Sequence, residues 1–119
     1  LLSSAEGAIF TPRTSSKSAV PHLLDAALLP CFATFTPAAL TINENADDDV
    51  KIDLINALND LVPDIRDDHT EGNSDSHLKA SLIGSDLMVQ VVNGTPVLGR
   101  WQGIYFCEFD GPRSNREIK

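Results

Sequence analysis

Apolar residues in the middle of the chain recur at helical spacing and predict its longest helix. Val50, Leu54 and Leu58 stand four residues apart, so a helix would place them on one face. Asn45 offers an N-cap, three aspartates follow it closely, and Pro63 ends the pattern. The aspartates could bind a cation, but acidic residues at a helix N-terminus also complement the helix dipole, and we favour that interpretation.

Two shorter helices are predicted on either side of this one. Residues 74–83 have Ser74 as a capping hydroxyl and Gly84 as a C-terminal stop. The upstream run VPHLLDAALL, residues 20–29, predicts a short helix that Pro30 closes.

The pattern after the second helix is extended and predicts a β-hairpin. Residues 87–92 are β-prone, Asn93-Gly94 is a strong hairpin turn, and residues 97–109 form a second long run. The natural core candidates in that second run are Trp101, Ile104 and Phe106.

The order of these elements predicts an α+β domain with a mainly antiparallel sheet. Residues 31–42 are rich in Phe, Thr and Ala, which favours extended structure that Pro37 interrupts. Residues 1–20 show no sustained period and are expected to be loosely ordered. A single domain is therefore predicted over residues 21–119.

Composition and charge narrow the class of function. The chain has 17 acidic and 9 basic residues and a formal net charge of −8, which argues against nucleic acid and anionic membranes as partners. No apolar run approaches the length of a membrane-spanning helix. Cys31 and Cys107 lie in apolar stretches without metal-ligand spacing, so we expect buried free thiols and a cytoplasmic protein.

Candidate chemistry concentrates in the segment HTEGNSDSHLK, which runs from His69 to Lys79. A loop folding back onto the second helix would bring His69 and His77 together. Imidazoles with a carboxylate can bind a divalent cation, and Glu71, Asp75 or Glu44 could supply that carboxylate. The alternatives are a solvated loop capping a helix and, for Lys79, an ordinary solvated lysine.

A polar triplet, Asn43, Glu44 and Asn45, lies between the extended run and the longest helix. One of its members would cap the helix, which leaves the others without an evident structural role. Signatures of other chemistries are absent: the chain has no Gly-rich phosphate loop, no G-x-S-x-G elbow, no C-x-x-C and no H-E-x-x-H.

Three motifs in order, LTINENADDDVKIDL, EGNSDSHLKASLIG and LGRWQGIYFCEFDGPR, closely resemble the YjbQ-like family. The resemblance runs from about residue 28 to residue 116 and implies an α+β fold that assembles as a homotrimer around a polar pocket. One departure concerns Phe35, which stands where the family has a histidine before Thr36. The matching residues are Thr36, Asn43, Glu44, Asn45, His69, Glu71, Gly72, Asn73, His77, Lys79, Trp101, Gln102 and Glu108.

The resemblance also implies an activity similar to a secondary thiamine-phosphate synthase, which joins an aminopyrimidine diphosphate to a thiazole phosphate and releases pyrophosphate. With Phe35 in place of the histidine, we expect this activity to be weak or lost. The alternative is a non-catalytic trimer that binds a metal ion or a phosphorylated metabolite. The expected roles are catalysis by Glu44, His77 and Lys79, binding of Zn²⁺ or Mg²⁺ by His69, His77 and Glu44, and substrate binding by Thr36, Asn43, Asn45, Asn73 and Gln102.

Overall fold

The computed structural model of the chain describes residues 8–10, 26–63, 66–111 and 118. These residues form an α+β fold in which helices pack on an antiparallel sheet, as predicted. The elements in chain order are β1 (Ala8–Phe10), β2 (Ala26–Phe32), β3 (Ala38–Glu44), α1 (Asp49–Leu61), α2 (Ser74–Ile83), β4 (Asp86–Val92), β5 (Thr95–Pro96) and β6 (Gln102–Glu108).

The first sheet has the strand order β1-β6-β3 and is antiparallel throughout. Its longest pairing, the β3–β6 ladder, sets Ala38 opposite Glu108 at one end and Glu44 opposite Gln102 at the other. Successive side chains on a strand point to opposite faces, so this sheet can pack on both sides. One face carries Ala39, Tyr105 and Cys107 against α1 and α2, and the other carries Ala38, Leu40 and Phe106 beside Ala33.

The second sheet has the strand order β2-β4-β5. Pro30 lies within β2, where its missing N–H is tolerated because β2 is an edge strand. The Asn93-Gly94 turn that joins β4 to β5 has a positive φ at both residues, +49° and +74°, as a tight hairpin with this dipeptide requires. The predicted turn is therefore confirmed.

Two parts of the sequence prediction need correction. The predicted helix over residues 20–29 is wrong for residues 26–29, which belong to β2 and pair with β4; the rest of it lies outside the described residues. The strand predicted over residues 97–109 is shorter, and it pairs with β3 and β1 in the first sheet, whereas β5 completes the hairpin in the second sheet.

The prediction that Trp101 belongs to the core is also wrong. In the structure 56% of its surface is exposed. It lies in the turn before β6, outside the packed part of the ladder. Phe106 is buried as predicted and Ile104 is half-buried. The core is built instead on the small residues of β3 and on Tyr105 and Cys107.

The two longer helices are confirmed, but their first turns differ in detail from the prediction. The N-cap of α1 is Asp48 rather than Asn45, and the Asp47 carboxylate accepts the N–H of Asp49 at 2.9 Å. The N-cap of α2 is Asn73, and the Ser74 N–H donates to the Asp67 carboxylate at 3.0 Å. Acidic side chains therefore satisfy backbone donors at both helix starts.

Among the described residues, no helix is both long and apolar enough to cross a membrane. The thiols of Cys31 and Cys107 are both free, as predicted, but only Cys107 is buried, whereas Cys31 is half-buried. Of the segment expected to be loosely ordered, residues 8–10 form β1, and the rest lies outside the described residues. Assembly as a homotrimer stays a prediction.

Candidate functional site

The two histidines of the HTEGNSDSHLK segment lie side by side. Their ring centroids are 5.3 Å apart with the rings nearly perpendicular, at 88°. His77 comes from α2, and His69 comes from the preceding turn, where the Gly72 N–H donates to the His69 carbonyl at 3.2 Å. Gly72 has φ +70°, a conformation that glycine adopts without strain and that turns the chain back onto the helix. The predicted pairing of the two rings is therefore present.

His77 also lines a cleft of about 740 Å³. The cleft opens between the β2–β3 connection, α2 and the residues that lead into β4. Aromatic rings and small apolar side chains form part of its lining, and hydroxyl groups, one imidazole and one carboxylate form the rest. Its lining residues are Phe32, Ala33, Thr34, Phe35, Thr36, Ala38, His77, Ala80, Ser81, Gly84, Ser85 and Asp86.

Asn73 is buried at the start of α2, close in sequence to both histidines. Only 8% of its surface is exposed, and its Nδ2 donates to the Asp110 carboxylate at 3.0 Å. Its Oδ1 is the one buried side-chain polar atom of the described residues that has no hydrogen-bond partner. An unsatisfied buried oxygen is costly, so this position is suited to a bound water or a donor group of a ligand.

The predicted role of Lys79 in catalysis requires its amine to reach the candidate site. Its amine is buried and contacts the Asp75 carboxylate at 2.8 Å and the Asn59 side-chain oxygen at 2.7 Å. It is not among the residues that line the cleft. Within one chain, Lys79 therefore connects α2 to α1.

The polar triplet Asn43-Glu44-Asn45 lies at the other end of the β3–β6 ladder, beside Gln102. The Asn43 side chain accepts the N–H of Glu44 at 2.8 Å, and the Glu44 and Asn45 side chains are exposed. The hydroxyl of Tyr105 donates to the Glu44 carbonyl and so fixes the backbone there.

Two hydrogen bonds and one close contact hold the neighbouring residues at this end of the ladder in place. The Asn45 N–H donates to the Trp101 carbonyl at 2.7 Å. The Gln102 side chain accepts the N–H of Gly99 at 2.7 Å. Gly103 leaves room for Asn45, because a Cβ at that position would lie 2.7 Å from the Asn45 Cβ.

The predicted site residues therefore form two groups. The histidine end of the ladder comprises the cleft with Thr36, His69, Asn73 and His77, and the glutamate end comprises Asn43, Glu44, Asn45 and Gln102. The strand from Ala38 to Glu44 spans six residue steps, roughly 20 Å at the rise of a β-strand. Accordingly, no three His, Cys, Asp or Glu side chains of the described residues form a group that could hold a metal ion.

Glu44 therefore does not join His69 and His77 within one chain, and neither the expected metal set nor the expected catalytic set is assembled there. The two imidazoles fit two ligand positions of a divalent cation, and a third ligand would have to come from elsewhere. Sequence reasoning also missed Asp110 and Asn59, which hold Asn73 and Lys79. Of these contacts, only the ion pair between Asp75 and Lys79 could have been predicted, from their spacing of four residues on a helix.

Comparison with known proteins identifies the family of this chain. A family model described as UPF0047 protein YjbQ-like matches residues 13–119. A UPF0047 protein of Methanocaldococcus jannaschii is 52% identical over 83 residues, which are 69% of this chain and 60% of that protein. The UPF0047 protein YugU of Bacillus subtilis is 50% identical over 91 residues, 75% of this chain and 67% of that protein. The matched region thus spans less than two thirds of the Methanocaldococcus protein.

Solved structures agree with this result. A crystal structure of an uncharacterized conserved protein of the yjbq/upf0047 family from Clostridium acetobutylicum has a TM-score of 0.84 and 41% identity, and the match covers 100% of this chain and 95% of that one. A conserved hypothetical protein from Thermus thermophilus has a TM-score of 0.73 and 44% identity, covering 77% and 74% of the two chains. The chain belongs to the YjbQ-like family, UPF0047.

Proposed function

We propose that the cleft beside His77 binds a small phosphorylated metabolite together with a divalent cation. We further propose that it supports, weakly, the thiamine-phosphate synthase type of reaction that the family resemblance implies. The observation that carries this proposal is the His69–His77 pair, with ring centroids 5.3 Å apart and His77 on the cleft wall. The expected cytoplasmic location belongs to the same proposal.

The lining of the cleft suits a flat, phosphorylated heterocycle. Phe32 and Phe35 offer aromatic surface, while Thr36 and Ser85 offer hydroxyl groups that can orient polar substituents. A volume of about 740 Å³ lies within the range of small-molecule sites.

The reaction requires the thiazole nitrogen to attack the exocyclic methylene carbon of the aminopyrimidine diphosphate. A carbon–nitrogen bond forms, the bond from that carbon to the diphosphate oxygen breaks, and pyrophosphate leaves with the electron pair. A divalent cation at the imidazoles would neutralise the charge that develops on the leaving group. In this scheme His69 and His77 hold the cation, Thr36 orients the substrate, and Asn73 supports the turn that carries His69.

Phe35 supports a second candidate, which is binding without turnover. This ring lines the same cleft as His77 and occupies the position where the resemblance implies a histidine. A cation held by two imidazoles would be bound more weakly than one held by three, because each ligand contributes to affinity. The cleft would then retain a phosphorylated ligand while lacking the charge needed for rapid displacement.

Metal binding and product formation distinguish the two candidates. Calorimetry with Zn²⁺ should show one weak site per chain in the parent, loss of that site in His77→Ala, and at least tenfold tighter binding in Phe35→His. Thr34→His is the matched control, because it adds an imidazole to the same cleft one residue away. It should not strengthen binding.

Thiamine phosphate formation should then be measured for the parent and Phe35→His, with both substrates and Zn²⁺ or Mg²⁺. Product above a heat-killed control, increased in Phe35→His, supports the enzyme. Binding without product supports the non-catalytic candidate. Absence of Zn²⁺ binding in both the parent and Phe35→His would exclude a histidine metal site.

A further inference from the structure

The cleft beside His77 carries different chemistry at its two ends. One stripe of α2 and its C-cap forms a wall of the cleft, because the residues in it recur at three- and four-residue spacing. They are His77, Ala80, Ser81 and Gly84. The seven residue steps from His77 to Gly84 span about 10 Å at the rise of a helix. Asp86 follows Gly84 by two residues, so the imidazole belongs to one end of this wall and the carboxylate to the other.

Asp86 is the one acidic residue among the described residues that line the cleft, and it is exposed. In the part of the chain that the structure describes, its carboxylate has no hydrogen bond and no ion pair. The backbone around it is nevertheless fixed: residue 86 pairs with Phe32 in the β2–β4 ladder, and the Ser85 carbonyl accepts the Ala33 N–H at 2.8 Å. An unpaired polar group on a rigid backbone is what a binding site requires.

An aromatic ring lies beside this carboxylate. The β2–β4 register sets Phe32 directly opposite Asp86, and both residues line the cleft, so their side chains are neighbours on one face of the sheet. The side chain of Phe32 is 47% exposed, which leaves its ring accessible to a ligand. A planar ligand can therefore stack on Phe32 while hydrogen-bond donors at its edge reach Asp86. An aliphatic amine would use the carboxylate alone.

We propose that Asp86 determines the specificity of the cleft by recognising a planar nitrogen heterocycle that bears an amino group. The ring stacks on Phe32, and the amino group donates to the carboxylate. When the adjacent ring nitrogen takes up a proton from solvent, it supplies a second, parallel donor that matches the second carboxylate oxygen. A ring with an oxo group in place of the amino group would set an acceptor against an acceptor, so the same site rejects it.

Asp86 also orients a ligand that carries a phosphate, and this one step rests on the proposed function. A phosphate at the Gly84 end of the cleft would meet the carboxylate, and two negative groups repel each other. The phosphate therefore lies toward His77, with the proposed cation, and the amino-substituted ring lies toward Asp86. The cleft in this way selects both the ring and the direction in which the ligand enters.

The test uses two unphosphorylated rings that differ in one group, 4-aminopyrimidine and 4-pyrimidinone. Each is titrated without metal into the full ¹⁵N-labelled chain and followed by backbone amide chemical shifts. The parent should bind the amino ring at least about tenfold more tightly than the oxo ring, with the largest shifts around Phe32 and Asp86. Asp86→Asn should abolish or reverse this preference, because an amide can donate to the oxo oxygen.

Three further variants separate recognition from other effects. Asp53→Asn is the matched control, because it removes the same charge from an exposed residue of α1 that does not line the cleft, and it should keep the parent's preference. Asp86→Glu retains the carboxylate and should still favour the amino ring. Phe32→Leu removes stacking surface and should weaken the binding of both rings to a similar extent.

Equal affinities for the two rings in the parent would overturn the proposal, and so would an unchanged preference in Asp86→Asn. Absence of binding for both rings up to their solubility limits would overturn it as well. Because the rings carry no phosphate and are titrated without metal, an intact ring preference with no Zn²⁺ binding would refute the proposed function and leave Asp86 as the recognition residue. Intact Zn²⁺ binding without a ring preference would do the reverse.

Discussion

The histidine end and the glutamate end of the β3–β6 ladder carry similar polar residues but hold them in different ways. At the histidine end, hydrogen bonds join residues distant in sequence: Lys79 to Asn59, Ser76 to Phe109 and Asn73 to Asp110, at separations of 20, 33 and 37 residues. At the glutamate end, the Asn43 and Gln102 side chains bond to backbone groups one and three residues away, and the long-range hydrogen bonds there, from Tyr105 and Asn45, go to backbone carbonyls.

The residues at the histidine end therefore stabilise the fold, whereas those at the glutamate end are accessible to a ligand. Asn73, Ser76 and Lys79 are buried, so changing them should disturb the fold as well as any chemistry. The Glu44 and Asn45 side chains are exposed and free to meet a ligand or a second copy. Substitutions at the two ends should therefore differ more in the free energy of unfolding than in their effect on function.

The largest expected effect is that of Lys79→Ala. Removing one partner of a buried ion pair leaves Asp75 uncompensated and should lower the free energy of unfolding by about 3 to 5 kcal/mol, measured by urea titration. Lys51→Ala is the matched control, since its partner Asp48 is 92% exposed, and its loss of stability should stay below about 1 kcal/mol. Combining Lys79→Ala with Asp75→Ala should recover part of the loss, and equal losses in the two lysine variants would contradict the burial argument.

Gly103→Ala should have the next largest effect, at the glutamate end. The new Cβ would lie 2.7 Å from the Asn45 Cβ, and overpacking of this kind costs about 1 to 3 kcal/mol. Gly99→Ala is a milder control, because its Cβ would meet the end of the flexible Gln102 side chain at 3.1 Å. Adding Asn45→Gly to Gly103→Ala removes the clash and should restore stability, and a strictly additive loss would disprove this contact as the cause.

Cys107 lies in the core near the histidine end of the ladder, opposite Ala39, and burial raises the pKa of its thiol from 9.0 to about 12. In the unfolded chain the thiol ionises near pH 9, so the stabilisation is complete below pH 9 and is lost as the pH rises toward 12. From pH 8 to pH 10 the parent should lose about 1 kcal/mol more stability than Cys107→Ala. Parallel pH profiles for the two proteins would indicate that the thiol ionises as easily in the folded state.

The smallest expected effect on stability is that of Glu44→Gln. Its side chain is exposed, so the free energy of unfolding should stay within about 0.5 kcal/mol of the parent. The Tyr105 hydroxyl bonds to the backbone of residue 44, and that bond is retained in the variant. A loss as large as that of Lys79→Ala would show that the glutamate end also holds the fold together.

Two features of the candidate site could be predicted from the sequence, because they depend on the spacing of residues close together in the chain. The segment HTEGNSDSHLK predicts a turn that brings His69 onto α2, and the two rings are in contact. The four-residue spacing of Asp75 and Lys79 likewise marks their ion pair. Lys79 could not be placed further, because its other partner, Asn59, belongs to a different helix and no local pattern connects the two.

Errors in the fold prediction have the same origin. The run VPHLLDAALL has the Leu and Ala content of a helix, yet its last four residues pair with β4, because tertiary pairing overrides a weak local preference. Trp101 looked like a core residue by its position in an apolar run. The strand begins one residue later, which leaves the ring in a turn.

Local patterns were sufficient to predict the two longer helices, the Asn93-Gly94 turn, the α+β class and the pairing of the histidines, since each depends on residues close together in the chain. Long-range packing places Glu44 and Gln102 at the far end of the ladder from the cleft and buries Lys79 against α1. It also leaves Leu28, Phe32 and Met88 of the second sheet exposed. These features depend on strand direction and on long-range packing, which spacing along a single chain does not encode.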